Sequence, residues 1–252
     1  ETGPLVTIEN LSKRYGKGSL VLEDIALQVP AGEVVALIGP SGCGKSTLLK
    51  LLAGLLEPSG GELRIGGEEA PAARARLSYI FQEPTLLPWL PVRRNIELPL
   101  RLRGESSTQR REVAEQLLET VGLEQVSGYY PRQLSGGMKM RVSLARGLSL
   151  KPELLLLDEP FGALDAMTRN ELNDELLRLR EEHGFTAFFV THSVSEAVFL
   201  ADRVVILSAN PGRIHKVHTV ELSRARNAET RESLQYQKEA AEVMRLLHEV
   251  ER

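Results

Sequence analysis

The sequence predicts an α/β fold with a mostly parallel core sheet, an antiparallel β subdomain and an inserted helical subdomain. Short apolar runs alternate with helical spacings along most of the 252 residues, and this alternation is typical of a parallel sheet flanked by helices. Glycine pairs at 60–61 and 66–67 bracket a short strand, which indicates a hairpin. Between residues 83 and 151 the pattern is mainly helical, so we expect that segment to be the inserted subdomain.

The first third of the chain predicts strands before a helix. Residues 6–11 and 25–29 place apolar side chains at alternate positions, as half-buried strands do. Residues 34–38 are apolar throughout and predict a buried strand. Residues 47–53 have helical spacing, and we expect Gly54 to end that helix.

The inserted segment begins with breaks and continues as helix. Prolines at 84, 88, 91 and 99 interrupt its start. Helical spacing then runs from Val113 to Val121, where Gly122 stops it, and a second helical stretch covers 139–148.

After the insertion, strand and helix patterns alternate again. Residues 154–157 are four leucines and predict a strand buried on both faces. Residues 172–179 predict a helix, 186–191 a strand, 197–200 a helix and 204–207 a strand.

The last segment, from about residue 228, predicts a helical tail. We expect it to pack through one apolar face, which consists of Ala240, Val243, Met244, Leu247 and Val250. The expected organisation is a main domain at 5–225, which contains the insertion at 83–151, and a C-terminal helical tail at 226–252.

The bulk composition narrows the possible functions. A net charge of -3 with 26% charged residues shows no basic excess, so we expect no nucleic-acid partner. The apolar runs are far shorter than the roughly 18 residues that cross a bilayer. The chain starts without a signal-peptide pattern, and its single cysteine, Cys43, cannot form an internal disulfide. We therefore expect a reducing cytosol.

The most specific motif fits the phosphate-binding loop G-x-x-x-x-G-K-[ST] and lies between the strand at 34–38 and the helix at 47–53. Its residues are Gly39, Pro40, Ser41, Gly42, Cys43, Gly44, Lys45 and Ser46, and Thr47 continues the nucleotide-contacting stretch. Glycines let successive N–H groups point into one hollow, and the helix N-terminus adds partial positive charge. Lys45 is expected at the β and γ phosphates and Ser46 at Mg²⁺, so a nucleoside triphosphate with Mg²⁺ is the expected ligand.

Two further segments carry candidate chemistry. Asp158 and Glu159 follow the leucine strand, at the edge where open α/β sheets bind ligands. Asp158 then fits the Mg²⁺ shell and Glu159 fits a carboxylate that polarises water, although two acids after a strand can also be a solvated strand end. Ser135, Gly136 and Gly137 precede the helix at 139–148 and fit a second phosphate-binding helix N-terminus, or simply a turn.

In this order, the segments resemble the nucleotide-binding subunit of ATP-binding cassette (ABC) transporters along nearly the whole chain. The resemblance implies the ABC ATPase fold of the P-loop NTPases, with ATP as the nucleotide. The resemblance implies that Tyr15 stacks on adenine and that Gln82 contacts Mg²⁺ and senses a membrane partner. It also implies that His192 hydrogen-bonds the γ-phosphate. The other histidines, at 183, 215, 218 and 248, match nothing in the family and are expected at the surface.

The resemblance also implies a head-to-tail dimer of two copies. Residues 134–138 match the family's signature sequence, which contacts the γ-phosphate held by the opposite subunit. Residues 162–165 match the loop that links the two sites, with Asp165 as its acid. The expected partners are therefore a second copy, transmembrane permease subunits and, indirectly, a solute-binding protein. The expected location is the cytoplasmic face of the inner or plasma membrane, peripheral through the permease.

Two residues of this sequence differ from the commonest pattern of the ABC family, and they indicate one group of importers within it. Glutamine is more usual at the positions of Met138 and Met140, and Met138 is familiar from importer ATPases of the nitrate, sulfonate and taurine group. Residues 86–89 and 209–214 are familiar from the same group, and 138–141 with 172–176 look most like carriers of thiamine-pyrimidine precursors. An ATPase subunit does not touch the cargo, so its sequence indicates the solute only by ancestry.

Rival functions explain fewer of these residues. ABC-type ATPases of chromosomes or ribosomes tend to carry coiled-coil insertions or tandem cassettes, and neither heptads nor repeats occur here. A phosphate-loop kinase or switch protein leaves the signature sequence and His192 unexplained. A nucleotide-binding regulator that does not hydrolyse ATP leaves Glu159 and His192 unexplained. Exporter ATPases are usually fused to their membrane helices. This sequence predicts no such helices, which favours an importer with separate membrane subunits. Trp89 fits either a groove for a membrane-subunit helix or the core.

Overall fold

Within residues 3–251, which the computed structural model describes, ten strands form two sheets. Arg252, the last residue of the expected tail, lies outside this part. The strands are β1 (Val6–Arg14), β2 (Leu20–Val29), β3 (Val34–Ile38), β4 (Gly60–Ile65), β5 (Glu68–Glu69), β6 (Leu77–Phe81), β7 (Leu154–Asp158), β8 (Thr186–Val190), β9 (Arg203–Leu207) and β10 (Ile214–Thr219).

The larger sheet confirms the prediction of a mostly parallel core. Its strand order is β10-β9-β3-β8-β7-β6, and only the edge strand β10 is antiparallel to its neighbour. The leucines of β7 are fully buried and alternate between two cores. Leu154 and Leu156 face the core shared with the smaller sheet, whereas Leu155 and Leu157 face the core shared with helices of the inserted segment.

The smaller sheet confirms the antiparallel β subdomain. Its order is β2-β1-β4-β5, with every neighbouring pair antiparallel. The glycine pair at 66–67 forms the turn between β4 and β5, and both glycines have positive φ angles, of 57° and 83°. The expected hairpin is therefore present.

Eight α-helices pack around the sheets within residues 3–251. They are α1 (Lys45–Leu52), α2 (Val92–Leu102), α3 (Ser107–Thr120), α4 (Gly136–Leu148), α5 (Ala166–His183), α6 (Val194–Leu200), α7 (Ala228–Glu232) and α8 (Leu234–Val250). In the inserted segment, α2, α3 and α4 pack on one another, and α4 also packs on β6. None of these helices combines the length and the apolar character that a bilayer crossing requires.

Sequence reasoning missed three strands, β5, β6 and β10. β6 and β10 lie at opposite edges of the large sheet, where one side of each strand is unpaired and burial is incomplete. Edge strands carry a weaker hydrophobic signal because only part of their surface is covered. The two-residue β5 is too short for any periodic signal.

The tail is helical, as expected, and four of the five residues of its predicted packing face belong to the core or pack against it, namely Ala240, Val243, Leu247 and Val250. Ser233 separates α7 from α8 and caps α8 by accepting a hydrogen bond from the Tyr236 amide at 3.2 Å. Tyr236, Val243 and Leu246 are buried, whereas Met244, expected on the packing face, is 41% exposed. The prediction for Met244 was wrong because the buried face of α8 is formed by residues 236, 239, 243 and 246, and Met244 lies one position after residue 243.

Arg226 anchors the start of the tail to the C-terminal end of α6. Its guanidinium is buried and Nη1 donates hydrogen bonds of 2.8–3.0 Å to three main-chain carbonyls, those of Val198, Phe199 and Ala201. The last carbonyls of a helix have no partner within the helix, so they need one from outside. Burial lowers the pKa of Arg226 to about 10, which leaves the side chain charged at neutral pH.

Two histidines tie α8 to β10 and correct the surface expectation in part. His218 Nε2 lies 2.7 Å from Glu239 Oε2, and this pair is mostly shielded from solvent. His215 Nε2 lies 2.9 Å from Glu249 Oε2 at the exposed end of the same helix. The other two histidines, at 183 and 248, are exposed as expected.

We predict that Arg226→Ala lowers the free energy of unfolding by about 3 kcal/mol, because three carbonyls lose a buried charged donor. Urea unfolding followed by circular dichroism measures the change. Arg245→Ala is the matched control, since Arg245 pairs with Glu242 and Glu249 on its own exposed helix face. A control loss as large as that of Arg226→Ala would contradict this account.

Candidate nucleotide site

The phosphate-loop motif connects β3 to α1 in a conformation that requires glycine at two positions. Gly39 has φ 154°, and a Cβ there would lie 2.5 Å from the Leu207 carbonyl oxygen. Gly44 has φ 99°, and a Cβ there would lie 2.5 Å from Leu22 Cδ2. Side chains at either position are excluded by strain and by contact, so the loop is held close to its neighbours.

Lys45 lies inside the curl of this loop. Its side chain is buried, and Nζ donates hydrogen bonds to the Gly39 carbonyl at 2.8 Å and to the Pro40 carbonyl at 3.0 Å. Cys43 Sγ is 3.7 Å from the same ammonium. Burial raises the pKa of Cys43, and Lys45 only partly opposes this. The thiol is therefore protonated at neutral pH and fills the loop.

An oxygen pair spans the loop and the end of β7. Ser46 Oγ donates a hydrogen bond to Asp158 Oδ1 at 2.9 Å. The other carboxylate oxygen of Asp158 accepts a hydrogen bond from Tyr79 Oη at 2.8 Å. Burial and the Asp158 charge raise the pKa of Tyr79, so its hydroxyl stays protonated and holds the carboxylate in place.

Glu159 and His192 meet across the ends of neighbouring strands. Glu159 Oε1 lies 2.7 Å from His192 Nε2. Glu159 has a positive φ angle of 50°, a conformation that costs a non-glycine residue of order 1–3 kcal/mol and is concentrated at functional sites. Its amide donates to the Val190 carbonyl at 3.0 Å, which fixes the turn against β8.

Lys45, Ser46, Glu159 and His192 border one open cavity of ≈ 330 Å³ over the N-terminus of α1. The lining residues are Val21, Ser41, Gly42, Gly44, Lys45, Ser46, Thr47, Glu159 and His192. The structure thus brings the phosphate loop together with both the expected carboxylate and the expected histidine. A helix N-terminus with a lysine beside it is suited to phosphate.

The Ser46 and Asp158 oxygens also fit a magnesium ion. Oxygen ligands are those that Mg²⁺ prefers, and it usually takes one or two from the protein and the rest from substrate phosphates and water. No cluster of three or more His, Cys, Asp or Glu side chains that could hold a metal occurs within residues 3–251. The pair therefore fits a cation that binds together with a nucleotide.

Gln82 and Tyr15 flank this cavity. Gln82 directly follows β6 and lines an adjoining cavity of ≈ 280 Å³ with Glu159 and His192. Tyr15 is 48% exposed, and its hydroxyl lies 3.5 Å from the Thr47 hydroxyl. An exposed aromatic ring beside the first turn of α1 offers a stacking face.

The expected signature residues do not join this cavity. Ser135 caps α4 by accepting a hydrogen bond from the Met138 amide at 3.2 Å, and Ser135 and Gly136 are exposed. Neither they nor Gly137 line the phosphate-loop cavity. A Cβ on Gly137 would lie 2.7 Å from Thr168 Cγ2, so close packing of α4 on α5 requires glycine there.

Asp165 likewise lies outside the cavity lining. It caps α5, accepting hydrogen bonds of 3.1 Å from the amides of Met167 and Thr168. Hydrogen bonding from Thr168 lowers the pKa of Asp165, which is therefore ionised at neutral pH.

Sequence reasoning missed the polar groups that support these side chains. Tyr79 lies on β6, a strand that sequence reasoning missed. The two aromatic residues at alternate positions, Tyr79 and Phe81, were an available signal for that strand. Thr191, Glu196 and Arg169 line the cavity that contains Gln82, and no motif marked them. Their roles depend on side-chain contacts between α5, α6 and the end of β8, three consecutive elements whose packing no local motif specifies.

Trp89 is 68% exposed, which rules out the core alternative for it. Its loop is held by Asn95, a buried side chain on α2. Asn95 Oδ1 accepts from the Leu87 amide at 2.8 Å, and Nδ2 donates to the Leu90 carbonyl at 2.9 Å. The ring is therefore presented to solvent by an ordered loop.

Comparison with known proteins gives a consistent family. A family model described as "ABC transporter" matches residues 22–162. The aliphatic sulfonates import ATP-binding protein SsuB 1 of Xanthomonas axonopodis pv. citri is 47% identical over 222 residues, which is 88% of this chain and 88% of that protein. The nitrate import ATP-binding protein NrtC of Synechococcus elongatus is 46% identical over 210 residues, which is 82% of this chain and 32% of that protein.

A solved structure supports the same family. It is described as the dimeric structure of a post-hydrolysis state of the ATP-binding cassette MJ0796 bound to ADP and Pi. It aligns with a TM-score of 0.76 at 32% identity, covering 86% of this chain and 100% of that one. The chain therefore belongs to the ABC transporter family and is one of its ATP-binding, ATP-hydrolysing subunits.

Proposed function

We propose that this ATPase drives the import of a small polar solute of the nitrate, sulfonate or taurine type, or of a thiamine-pyrimidine precursor. The relatives named for sulfonate and nitrate import support the first group. The observation that carries the catalytic part is the cavity that Lys45 shares with Glu159 and His192.

Within that cavity we assign the roles as follows. Lys45 and the loop amides bind the β and γ phosphates, and the exposed Tyr15 ring stacks on adenine. Glu159 accepts a proton from the attacking water, while the new bond forms to the γ-phosphorus and the bond to the bridging oxygen of ADP breaks. His192 orients Glu159 and hydrogen-bonds the γ-phosphate. Positioning and charge neutralisation dominate the catalysis of phosphoryl transfer.

We assign the magnesium ligands to Ser46, Asp158 and Gln82. Ser46 and Asp158 already lie within 2.9 Å of each other, and Tyr79 keeps the carboxylate in that position. A bound Mg²⁺ would neutralise charge on the phosphate oxygens. Gln82 is exposed at the same edge of the sheet, so its side chain is free to reach a magnesium ion that binds with the nucleotide.

We also propose a head-to-tail dimer. Ser135, Gly136 and Gly137 form a capped helix N-terminus that lies outside the phosphate-loop cavity of their own chain. From there the main-chain N–H groups can donate hydrogen bonds to a phosphate held by a partner chain. Asp165 begins α5 close to that end, because Thr168 contacts Gly137. The dimeric state of the related cassette MJ0796 is consistent with this arrangement.

The remaining partners follow from the same proposal. A permease subunit would dock against the loop that presents Trp89, next to Gln82, at the cytoplasmic face of the membrane, and a solute-binding protein would act through that permease. The cassette would extend over 5–225 with its helical insertion at 83–151, and the tail over 226–252.

We predict that Glu159→Gln binds ATP but lowers kcat by at least about 100-fold, because the variant cannot take the water's proton. Colorimetric phosphate release measures turnover, and size-exclusion chromatography with ATP is expected to show an accumulated dimer. Glu153→Gln, at the opposite end of β7 on the surface, is the control. Near-normal hydrolysis by Glu159→Gln would refute the assignment.

We predict that Lys45→Ala raises the Kd for ATP roughly thirtyfold, since a charged hydrogen bond contributes about 2 kcal/mol. Isothermal titration calorimetry with ATP measures this. Lys50→Ala, an exposed lysine on the same helix, is expected to leave Kd unchanged. Equal affinities for wild type and Lys45→Ala would count against the phosphate-loop assignment.

We predict that Trp89→Ala retains the basal ATPase rate but lowers solute uptake in vesicles with the co-purified permease by about tenfold, because an exposed docking aromatic contributes energy to the interface. Leu102→Ala is the control, an exposed apolar side chain at the far end of α2. Unchanged uptake by Trp89→Ala would place the permease elsewhere.

A further inference from the structure

Arg169 on α5 and Glu196 on α6 meet between two turns that carry proposed functional residues. One turn, at 161–165, ends with Asp165, and the other, at 191–193, contains His192. Both side chains border the ≈ 280 Å³ cavity that also contains Gln82 and Glu159. The proposed mechanism assigns neither of them a role.

Arg169 holds the first turn through its main chain. Its Nη2 donates to the Leu164 carbonyl at 2.7 Å, and its Nε donates to the Phe161 carbonyl at 3.4 Å. Two hydrogen bonds from one planar guanidinium restrict both the position and the orientation of the turn. The path of the chain into Asp165 therefore depends on Arg169.

Glu196 holds the second turn from its other side. The Thr191 hydroxyl donates to Glu196 Oε2, and Thr191 Oγ1 in turn accepts from the Ser193 amide at 3.0 Å. The Glu196 amide donates to Ser193 Oγ at 3.3 Å. His192 lies between Thr191 and Ser193, so its main chain is held on one side through the Glu196 carboxylate and on the other through the Glu196 amide.

The two side chains face each other as charges. Arg169 Nε lies 3.5 Å from Glu196 Oε1, and the carboxylate is only 7% exposed. Oε1 accepts no hydrogen bond from any residue between 3 and 251. Burying an unpaired charge is costly, so Arg169 is the cation that compensates Glu196. Burial raises the pKa of Glu196, and the Thr191 hydrogen bond and the Arg169 charge oppose that rise.

We propose that Arg169 and Glu196 are positioning residues that lock the Asp165 turn and the His192 turn into one arrangement. Through this bridge, a displacement of Asp165 by a partner chain would move His192 with it, which couples the two nucleotide sites. The proposal rests on the proposed function, because it takes the roles of Asp165 and His192 from there.

The test compares Arg169→Ala, Glu196→Gln, the double variant and Arg169→Lys in the full chain. Glu196→Gln keeps an oxygen for Thr191 but removes the charge that faces Arg169. We expect each of the two single variants to lower kcat by about tenfold while the Kd for ATP stays within about twofold. The double variant should be no slower than the slower single variant, since both break the same bridge. Arg169→Lys keeps the charge and should recover part of the rate.

Controls separate this bridge from general destabilisation and from the proposed function. Arg178→Ala removes an arginine of α5 whose contacts are Glu175, Glu182 and the Thr120 carbonyl, and it should keep the wild-type rate. Single effects that add in the double variant, rates within about twofold of wild type, or equal losses of kcat and ATP affinity would each overturn the bridge. Failure of the proposed function is distinguishable, because it would appear as near-normal hydrolysis by Glu159→Gln.

Discussion

Hydrogen bonding between parallel strands holds the loops of the nucleotide site in one row. Across the sheet, Phe81 pairs with Asp158, Asp158 with Val190, and Val190 with Leu37, so β6, β7 and β8 end at the same level and β3 ends one residue further on, at Ile38. The phosphate loop, Gln82, Glu159 and His192 each follow one of these strand ends within two residues. The geometry of the site is therefore set by strand register, and a shift of one residue in any strand would turn its side chains to the opposite face.

The part of the site that sequence could predict is the part with a local pattern. The phosphate loop and the acids after the leucine strand are contiguous, and their strand and helix context is readable from apolar spacing. The roles of Tyr79, Thr191 and the Arg169–Glu196 pair could not be predicted, because each depends on a side-chain contact that no local pattern specifies. The prediction that Met244 is buried failed for a related reason. Several faces of a helix can fit a mixed apolar pattern, and only the surface on which the helix packs selects one of them.

The inserted segment joins two regions that the sequence treats as separate motifs. α4 begins at the Ser135 cap and, further along, carries Arg146, whose side chain donates to the carbonyls of Pro84 at 2.8 Å and Thr85 at 3.0 Å. These carbonyls belong to the loop after Gln82. Because a helix is stiff along its axis, the signature end and the loop near the cavity are connected by a rigid element. The Trp89 loop, held by Asn95, extends from the same region.

The arginine that anchors the tail has a consequence for how the chain can be divided. A cut between residues 225 and 226 would separate three main-chain carbonyls of the α6 region from the one charged side chain that donates to them within residues 3–251. α6 directly follows the turn that contains His192. The tail therefore cannot be exchanged freely. A chimera that takes its C-terminal segment from another protein needs an equivalent arginine, because otherwise the last carbonyls of the helix beside the nucleotide site lose their hydrogen-bond donor.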